Sequence, residues 1–243
     1  MQRALSAVEV VFFDVFGTVV DWRTSLVREL EEFGLRKGLS KDWPAFADRW
    51  RAKYQPSMEE VRSGQRPFTI LDVLHRESLI AVLDEFSIAA PGEDDLDHLI
   101  TIWHRLDPWP DAVRGLERLK RRLIISPLSN GNVALLTRLS KRARLPWDAV
   151  LCAETAQAYK PQPEAYLRNA TLLAAKPEAC MLVAAHNQDL AAARNQGFCT
   201  AFVLRPAEHG PHQQTDLRAE DQWDVIAGNF EELADKLACP PLP

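Results

Sequence analysis

The sequence is short of the features that would send a chain to a membrane, to nucleic acid or to a disulfide scaffold. Its longest early apolar run, Val8 to Phe13, falls far below the ~20 residues that cross a bilayer. Met1 to Ala7 carries only Arg3 as charge, and no cleavage-type segment follows, so a soluble, unsecreted protein is expected. Positive charge is not in excess: 29 Lys and Arg face 34 Asp and Glu, a net charge of -5. That leaves no cationic field to hold a phosphate backbone or anionic lipid, so neither nucleic acid nor a membrane is expected as a partner. Cysteine is scarce. Cys152, Cys180, Cys199 and Cys239 stand 28, 19 and 40 positions apart, which matches neither the close pairs of a zinc site nor a dense disulfide frame. They read as small buried thiols in a reducing cytoplasm. Repeats and low-complexity tracts are missing too, and Pro240-Pro241-Leu242-Pro243 reads as a frayed tail.

What is present is a globular composition, with 47% hydrophobic and 26% charged residues over 243 positions, enough for one large core or two modest domains. Short apolar runs recur at Val8–Phe13, Leu123–Leu128, Ala149–Cys152, Cys180–Ala184 and Thr200–Leu204, with a weaker sixth at Asp224–Ala227. They read as buried strands. Helix-length segments at Val133–Arg142, Pro163–Ala174, Asp189–Gln196 and Phe230–Leu237 separate or follow the later ones, and Gly197 is placed to stop the third. This alternation predicts an α/β fold with a parallel sheet covered on both faces. Between the first two strands lie about a hundred residues without a strand pattern, far more than a crossover needs. Their apolar spacing is helical: Leu26, Leu30, Phe33; Trp43, Phe46, Ala47, Trp50, Tyr54; Ile70, Val73, Leu74, Ala81; Leu96, Leu99, Ile100, Trp103. Residues 22–107 are therefore read as an inserted helical cap domain, and 1–21 with 108–243 as the core, the turn-rich Asp107-Pro108-Trp109-Pro110-Asp111 marking the return.

In an open parallel sheet the ligand site lies outside the carboxyl ends of the strands. The residues just after the strand runs include Asp14, Ser129, Lys160 and Asp189: two carboxylates, a hydroxyl and a cation brought to one edge. Each has a simpler reading as well. Asp14 can cap a turn, Ser129-Asn130-Gly131 can be turn chemistry, Lys160 can be solvated and Asp189 can be a helix N-cap.

Asp14-Val15-Phe16-Gly17-Thr18 after the first strand, Leu128-Ser129-Asn130-Gly131 after the second, Tyr159-Lys160-Pro161, and Asp189 in a helix-opening turn together resemble the haloacid dehalogenase superfamily in order and spacing. The match spans nearly the whole core. The resemblance implies a Rossmann-like sheet with an α-helical cap inserted after the first motif. Most members are magnesium-dependent phosphatases with a second Asp two positions after the nucleophile as general acid. This chain has Phe16 there, and a phenyl ring cannot protonate a leaving alcohol. The departure resembles the L-2-haloacid dehalogenase branch, which has an aromatic residue at that place and works without metal, so neither a metal nor a cofactor is expected. Trp50-Arg51 is similar to the segment whose arginine meets the leaving halide, and the run from Tyr159 to Tyr166 resembles one whose lysine and later tyrosine line the site.

The resemblance implies hydrolysis of a short-chain 2-haloacid. Asp14 would attack carbon 2 with inversion to give an aspartyl ester, Lys160 would lower the pKa of Asp14, and Arg51 and Asn130 would stabilise the halide. Ser129 and the backbone near Phe16 would bind the substrate carboxylate, with Tyr166 and Asn187 as further binding candidates. Thr18 would hold Asp14, and water polarised by Asp189 would hydrolyse the ester. The fourth motif departs from the best-known pattern: Ala184 replaces a serine and His186 the usual asparagine. His186 is read as activating water or hydrogen-bonding the halide, or else as a structural histidine. Two other functions are weighed. A magnesium-dependent phosphatase is opposed by Phe16, and a noncatalytic domain binding a small carboxylate or a protein is opposed by the joint presence of Asp14, Lys160 and Asp189. The relatives are often dimers, and seven tryptophans offer an interface for a homodimer, although an aromatic helical stripe is more often core.

Overall fold

The computed structural model describes residues 5–89 and 91–242. The first four residues, on which part of the N-terminal reading falls, and Pro243 at the end of the expected tail lie outside the described residues. Six parallel strands form one sheet: β1 (Val10–Phe13), β4 (Ile124–Ser129), β5 (Leu151–Cys152), β6 (Cys180–Ala184), β7 (Cys199–Val203) and β8 (Val225–Ala227), in the order β5-β4-β1-β6-β7-β8. A separate two-residue ribbon pairs β2 (Val20–Asp21) with β3 (Asp107–Pro108) antiparallel. β1 reads Val-Val-Phe-Phe and is buried along its whole length, because it is central and covered on both faces. The winding reverses at β1, with β4 on one side and β6 on the other, which is where an open parallel sheet leaves a crevice.

The helices are α1 (Trp22–Lys37), α2 (Trp43–Ala52), α3 (Tyr54–Arg62), α4 (Leu71–Glu85), α5 (Glu93–Ile100), α6 (Ala112–Lys120), α7 (Val133–Ala143), α8 (Ala153–Ala156), α9 (Pro163–Leu172), α10 (Asn187–Asn195) and α11 (Phe230–Lys236). The first five fill the stretch between the two ribbon strands. Asp21 caps α1 by accepting from Thr24 N–H, and Asp42 caps α2 by accepting from Ala45 N–H. Lys53 separates α2 from α3, where the apolar stripe from Trp43 to Tyr54 suggested one helix.

Several expectations change. On α4, Val73 and Ala81 face solvent, and the buried face is Leu71, Leu74, His75, Ser78, Leu79, Val82 and Leu83. The apolar spacing does not announce α6, because Gly115 in its middle weakens the helical signal. The reason for that glycine is tertiary, since a Cβ there would stand 2.3 Å from Phe230 Cβ on α11. The chain end is tied down as far as Pro241, because Arg118 donates to the Pro240 carbonyl and Arg121 to that of Pro241. Gly197, at φ +93°, follows α10 as expected. All four cysteines are buried. No helix among the described residues is long and apolar enough to cross a membrane.

Candidate active site

Asp14 follows β1 directly and is only 7% exposed. Its backbone N–H still donates to the Val183 carbonyl (3.0 Å), so the strand register sets where the carboxylate stands. The chain then turns sharply through Gly17 at φ +88° and brings Thr18 back beneath it. Thr18 Oγ1 donates to Asp14 Oδ2 (2.8 Å) and accepts from Ala185 N–H (2.9 Å).

Lys160 reaches the other oxygen. Its Nζ donates to Asp14 Oδ1 (2.8 Å) and also to Asp189 Oδ2, so one ammonium bridges both carboxylates. Asp189 Oδ1 accepts from the Tyr166 hydroxyl (2.7 Å). The Lys160 backbone N–H donates to Asn130 Oδ1 (2.8 Å), which fixes the orientation of that amide and leaves its NH₂ group for the cavity. Burial disfavours the ionised form of Asp14, yet Lys160 and His186 outweigh it and hold this carboxyl well below the usual range. For Lys160 burial is likewise outweighed by Asp14 and Asp189, and its affinity for the proton rises.

His186 closes the far side. Its Nδ1 is 3.0 Å from Asp14 Oδ2 and its Nε2 is 2.9 Å from Glu208 Oε2. Burial opposes the charged ring, but Glu208 and Asp14 together push its pKa well above the ordinary value. Glu208 has a side chain 1% exposed and accepts from Trp22 Nε1–H (3.1 Å). Nothing in the local sequence marks this glutamate. It lies beyond the carboxyl end of β7, and the strand-end rule, not applied at this strand, is the one signal that could have found it.

Arg51, at the end of α2, supplies the opposite wall. Its guanidinium carbon lies 4.0 Å from the Tyr54 ring centre, 5.2 Å from that of Trp22 and 5.9 Å from that of Phe16, and its Nη1 is buried without a hydrogen-bond partner. Phe16 is 2% exposed and packs edge-on against Trp103. Arg51, Tyr54, Trp22 and Phe16 line a cavity of about 1070 Å³, with Asn130, Lys160, Tyr166, His186 and Asp189 on the sheet side and Gln55, Glu59 and Arg62 on α3. A buried carboxylate beside a fixed cation, facing an aromatic box around an unpartnered guanidinium, is suited to attacking a carbon that bears an anionic leaving group.

Two expected binding residues point elsewhere. Ser129 Oγ accepts from Gly131 N–H (3.0 Å) and serves the turn; it is absent from the cavity wall. Asn187 is fully engaged as scaffold: its Oδ1 accepts from Glu220 N–H and Trp223 Nε1–H, while its Nδ2 donates to Asp216 Oδ1 and the Arg218 carbonyl. It pins the loop before β8 rather than facing the cavity. Among the described residues no group of three or more His, Cys, Asp or Glu is arranged to hold a metal ion.

Residues 8–197 match the family model for haloacid dehalogenase-like hydrolases. The structure superposes on that of the defluorinating L-2-haloacid dehalogenase Rha0230 with a TM-score of 0.95 and 47% identity, covering 98% of this chain and 99% of that one. For the L-2-haloacid dehalogenase PA0810 the TM-score is 0.92 and the identity 45%, over 95% and 99% of the two chains. (S)-2-haloacid dehalogenase 4A of Burkholderia cepacia is 26% identical over 230 residues, 91% of this chain and 96% of its own length. The four motifs, the aromatic residue in place of a general acid and these likenesses lead to one assignment: the chain belongs to the haloacid dehalogenase-like hydrolases, on their L-2-haloacid dehalogenase branch.

Proposed function

We propose that this enzyme hydrolyses short L-2-haloalkanoic acids to 2-hydroxy acids and halide, without a metal, in a cytoplasmic setting consistent with its buried thiols. The observation that carries the reading is the pairing of Asp14, ionised and clamped by Lys160 and Thr18, with the unpartnered guanidinium of Arg51 in its aromatic box.

Helices α1 to α5 act as a cap over the sheet edge. The substrate carboxylate is taken by backbone N–H groups near Phe16, a task from which Ser129 is diverted by its turn. Asp14 attacks carbon 2 from the face opposite the halogen; a C–O bond forms, and the carbon–halogen pair leaves as halide toward Arg51 and the Asn130 NH₂ group. Carboxylates are weak nucleophiles in water, and the buried, cation-flanked position of Asp14 lessens that handicap. Lys160 lies between Asp14 and Asp189 where two carboxylates would otherwise repel, so the site carries its own cation. Water then adds to the ester carbonyl within reach of Asp189 and His186, releasing the hydroxy acid and restoring Asp14.

The test is halide release from each enantiomer of 2-chloropropionate, and from chloroacetate and fluoroacetate, with and without EDTA, beside a phosphomonoester supplied with magnesium. Chloride release from the L enantiomer that persists in chelator, and that disappears in Asp14→Asn, is expected. Phosphate release with magnesium and no halide from any acid would overturn the reading. The homodimer expected from the resemblance is checked by the mass of the protein in solution.

A further inference from the structure

Resting on the reading of Asp14 as the alkylated nucleophile, we propose that esterification of Asp14 converts His186 from a cation bridging two carboxylates into the neutral base for the hydrolytic water, with Glu208 as the residue that positions it.

The two ring nitrogens of His186 face Asp14 Oδ2 at 3.0 Å and Glu208 Oε2 at 2.9 Å. Both partners are ionised carboxylates and can only accept, so each nitrogen carries a proton in the resting enzyme. A doubly protonated ring has no lone pair with which to activate water. The charges facing it are Asp14, Asp189 and Glu208 against Lys160 and Arg51, with His209 Nε2 3.5 Å from the second oxygen of Glu208. With the His186 cation included, three negative groups balance three positive ones, and no base is free.

Displacement changes this balance. When an Asp14 oxygen forms its bond to carbon 2 and the halogen departs with the bonding pair, the Asp14 charge disappears. Of the four carboxylates in the substrate-loaded site, three then remain (Asp189, Glu208 and the substrate's own) against three cations, and the Asp14 ester is a poorer acceptor than the carboxylate it replaces. His186 sheds its Nδ1 proton to solvent; with the departing halide this is the HX of the overall reaction. The Nε2 proton stays on the bond to Glu208, which fixes the tautomer and leaves the Nδ1 lone pair facing the ester, in the manner of a base oriented by a buried carboxylate. Water adds to Asp14 Cγ and gives one proton to Nδ1. The adduct breaks its bond from Cγ to the ester oxygen, the alkoxide takes the proton of the newly formed Asp14 carboxyl, and the product leaves as the hydroxy acid. The ionised Asp14 and the imidazolium are both restored.

Glu208 is built for a fixed position. Its second oxygen accepts from Trp22 Nε1–H, and Gly17 packs so closely that a Cβ there would stand 2.1 Å from it. The carboxylate cannot swing away when the charge beside it changes.

The experiment compares wild type, His186→Gln and Glu208→Gln in excess L-2-chloropropionate, reading chloride, hydroxy acid and intact mass, with His186→Asn as the second variant if the glutamine form does not fold. The His186 variants are expected to release about one chloride per active site and stop, with the propionate ester retained on Asp14. Glu208→Gln is expected to turn over about a hundredfold more slowly with ester accumulating, and the acid limb of its turnover should move to lower pH, a displacement that mere loosening of the site would not produce. A His186 variant within about threefold of wild-type turnover would overturn the proposal. So would one that releases no chloride at all while wild type does, or an unmoved acid limb in Glu208→Gln. Absence of chloride from wild type itself would instead defeat the underlying dehalogenase reading.

Discussion

Gly17 combines two requirements that only a residue without a side chain meets. Its φ of +88° lies in the left-handed region, and its Cα abuts the buried Glu208 carboxylate. Gly17→Ala is therefore expected to lose about 2–3 kcal/mol, from backbone strain plus displacement of Glu208, and to lower kcat further than the loss of folded protein explains. Thermal melts alongside active-site titration separate the two effects. Arg51 is the other residue whose surroundings define its use. A guanidinium stacked over Tyr54 and next to Trp22 keeps an N–H edge open that an ammonium would not reproduce, so Arg51→Lys should lower kcat/KM for L-2-chloropropionate by about a hundredfold or more. Unchanged chloride release in that variant would remove Arg51 from the halide pocket.

At the scale of elements, the start of α4 is the clamp between helical insert and sheet. Asp72 Oδ2 accepts from Asn132 Nδ2 (3.0 Å), its backbone N–H meets Asn132 Oδ1 (3.3 Å), and its Oδ1 lies 3.0 Å from His104 Nε2. Asn132 follows the Ser129–Gly131 turn that carries Asn130, so α4 helps hold the loop that brings Asn130 to the cavity wall. Asp72→Ala leaves the buried Asn132 amide and the His104 ring without this partner, at a cost of about 1–3 kcal/mol. The expected kinetic result is a KM raised more than kcat is lowered, because the cavity wall loosens while Asp14, Lys160 and Thr18 stay together. Equal losses in both constants would mean that the clamp also shapes the reacting groups. Arg62 makes a second bridge, donating to the Lys160 carbonyl (2.9 Å).

Across the whole molecule, the helical insert shares one core with the sheet, and that core contains His75. Its ring is 3% exposed, stacks on Trp103 at 4.3 Å, and has no hydrogen-bond partner on either nitrogen. Burial pushes its pKa down to about 3, against the weaker pull of Asp72. The unfolded chain protonates this ring below pH 6.5, whereas the folded chain refuses the proton until about pH 3. The contribution is therefore fully present above pH 6.5 and is lost progressively as pH falls through that window. At about pH 5 the loss amounts to roughly 2 kcal/mol. His75→Phe should remove that penalty while keeping the stacking, so its Tm should fall less than that of wild type between about pH 7.5 and pH 5. An identical pH slope in the two proteins would show that His75 already titrates in the folded state.

Much of this was readable from residue order alone. Runs such as Val10–Phe13 and Cys180–Ala184 announce buried strands because a strand covered on both faces needs apolar residues at every position, and chemistry-bearing residues follow their carboxyl ends because parallel sheets place ligands there. Asp14, Lys160 and Asp189 were therefore visible as a set, Arg51 on helix α2 only through the family resemblance, and Phe16 set the direction of the chemistry through what a phenyl ring cannot do. The sequence does not carry the partners of groups far apart in the chain. Glu208 looks like any loop glutamate until the fold sets it against His186 and Gly17. Gly115 obscures α6 until Phe230 is seen beside it, and Ser129 and Asn187 look available until Gly131 and Asp216 are found to occupy them. Local pattern follows from the chain's own periodicity, whereas a hydrogen-bond partner or a close approach is decided by which distant segments meet, and only tertiary packing determines that.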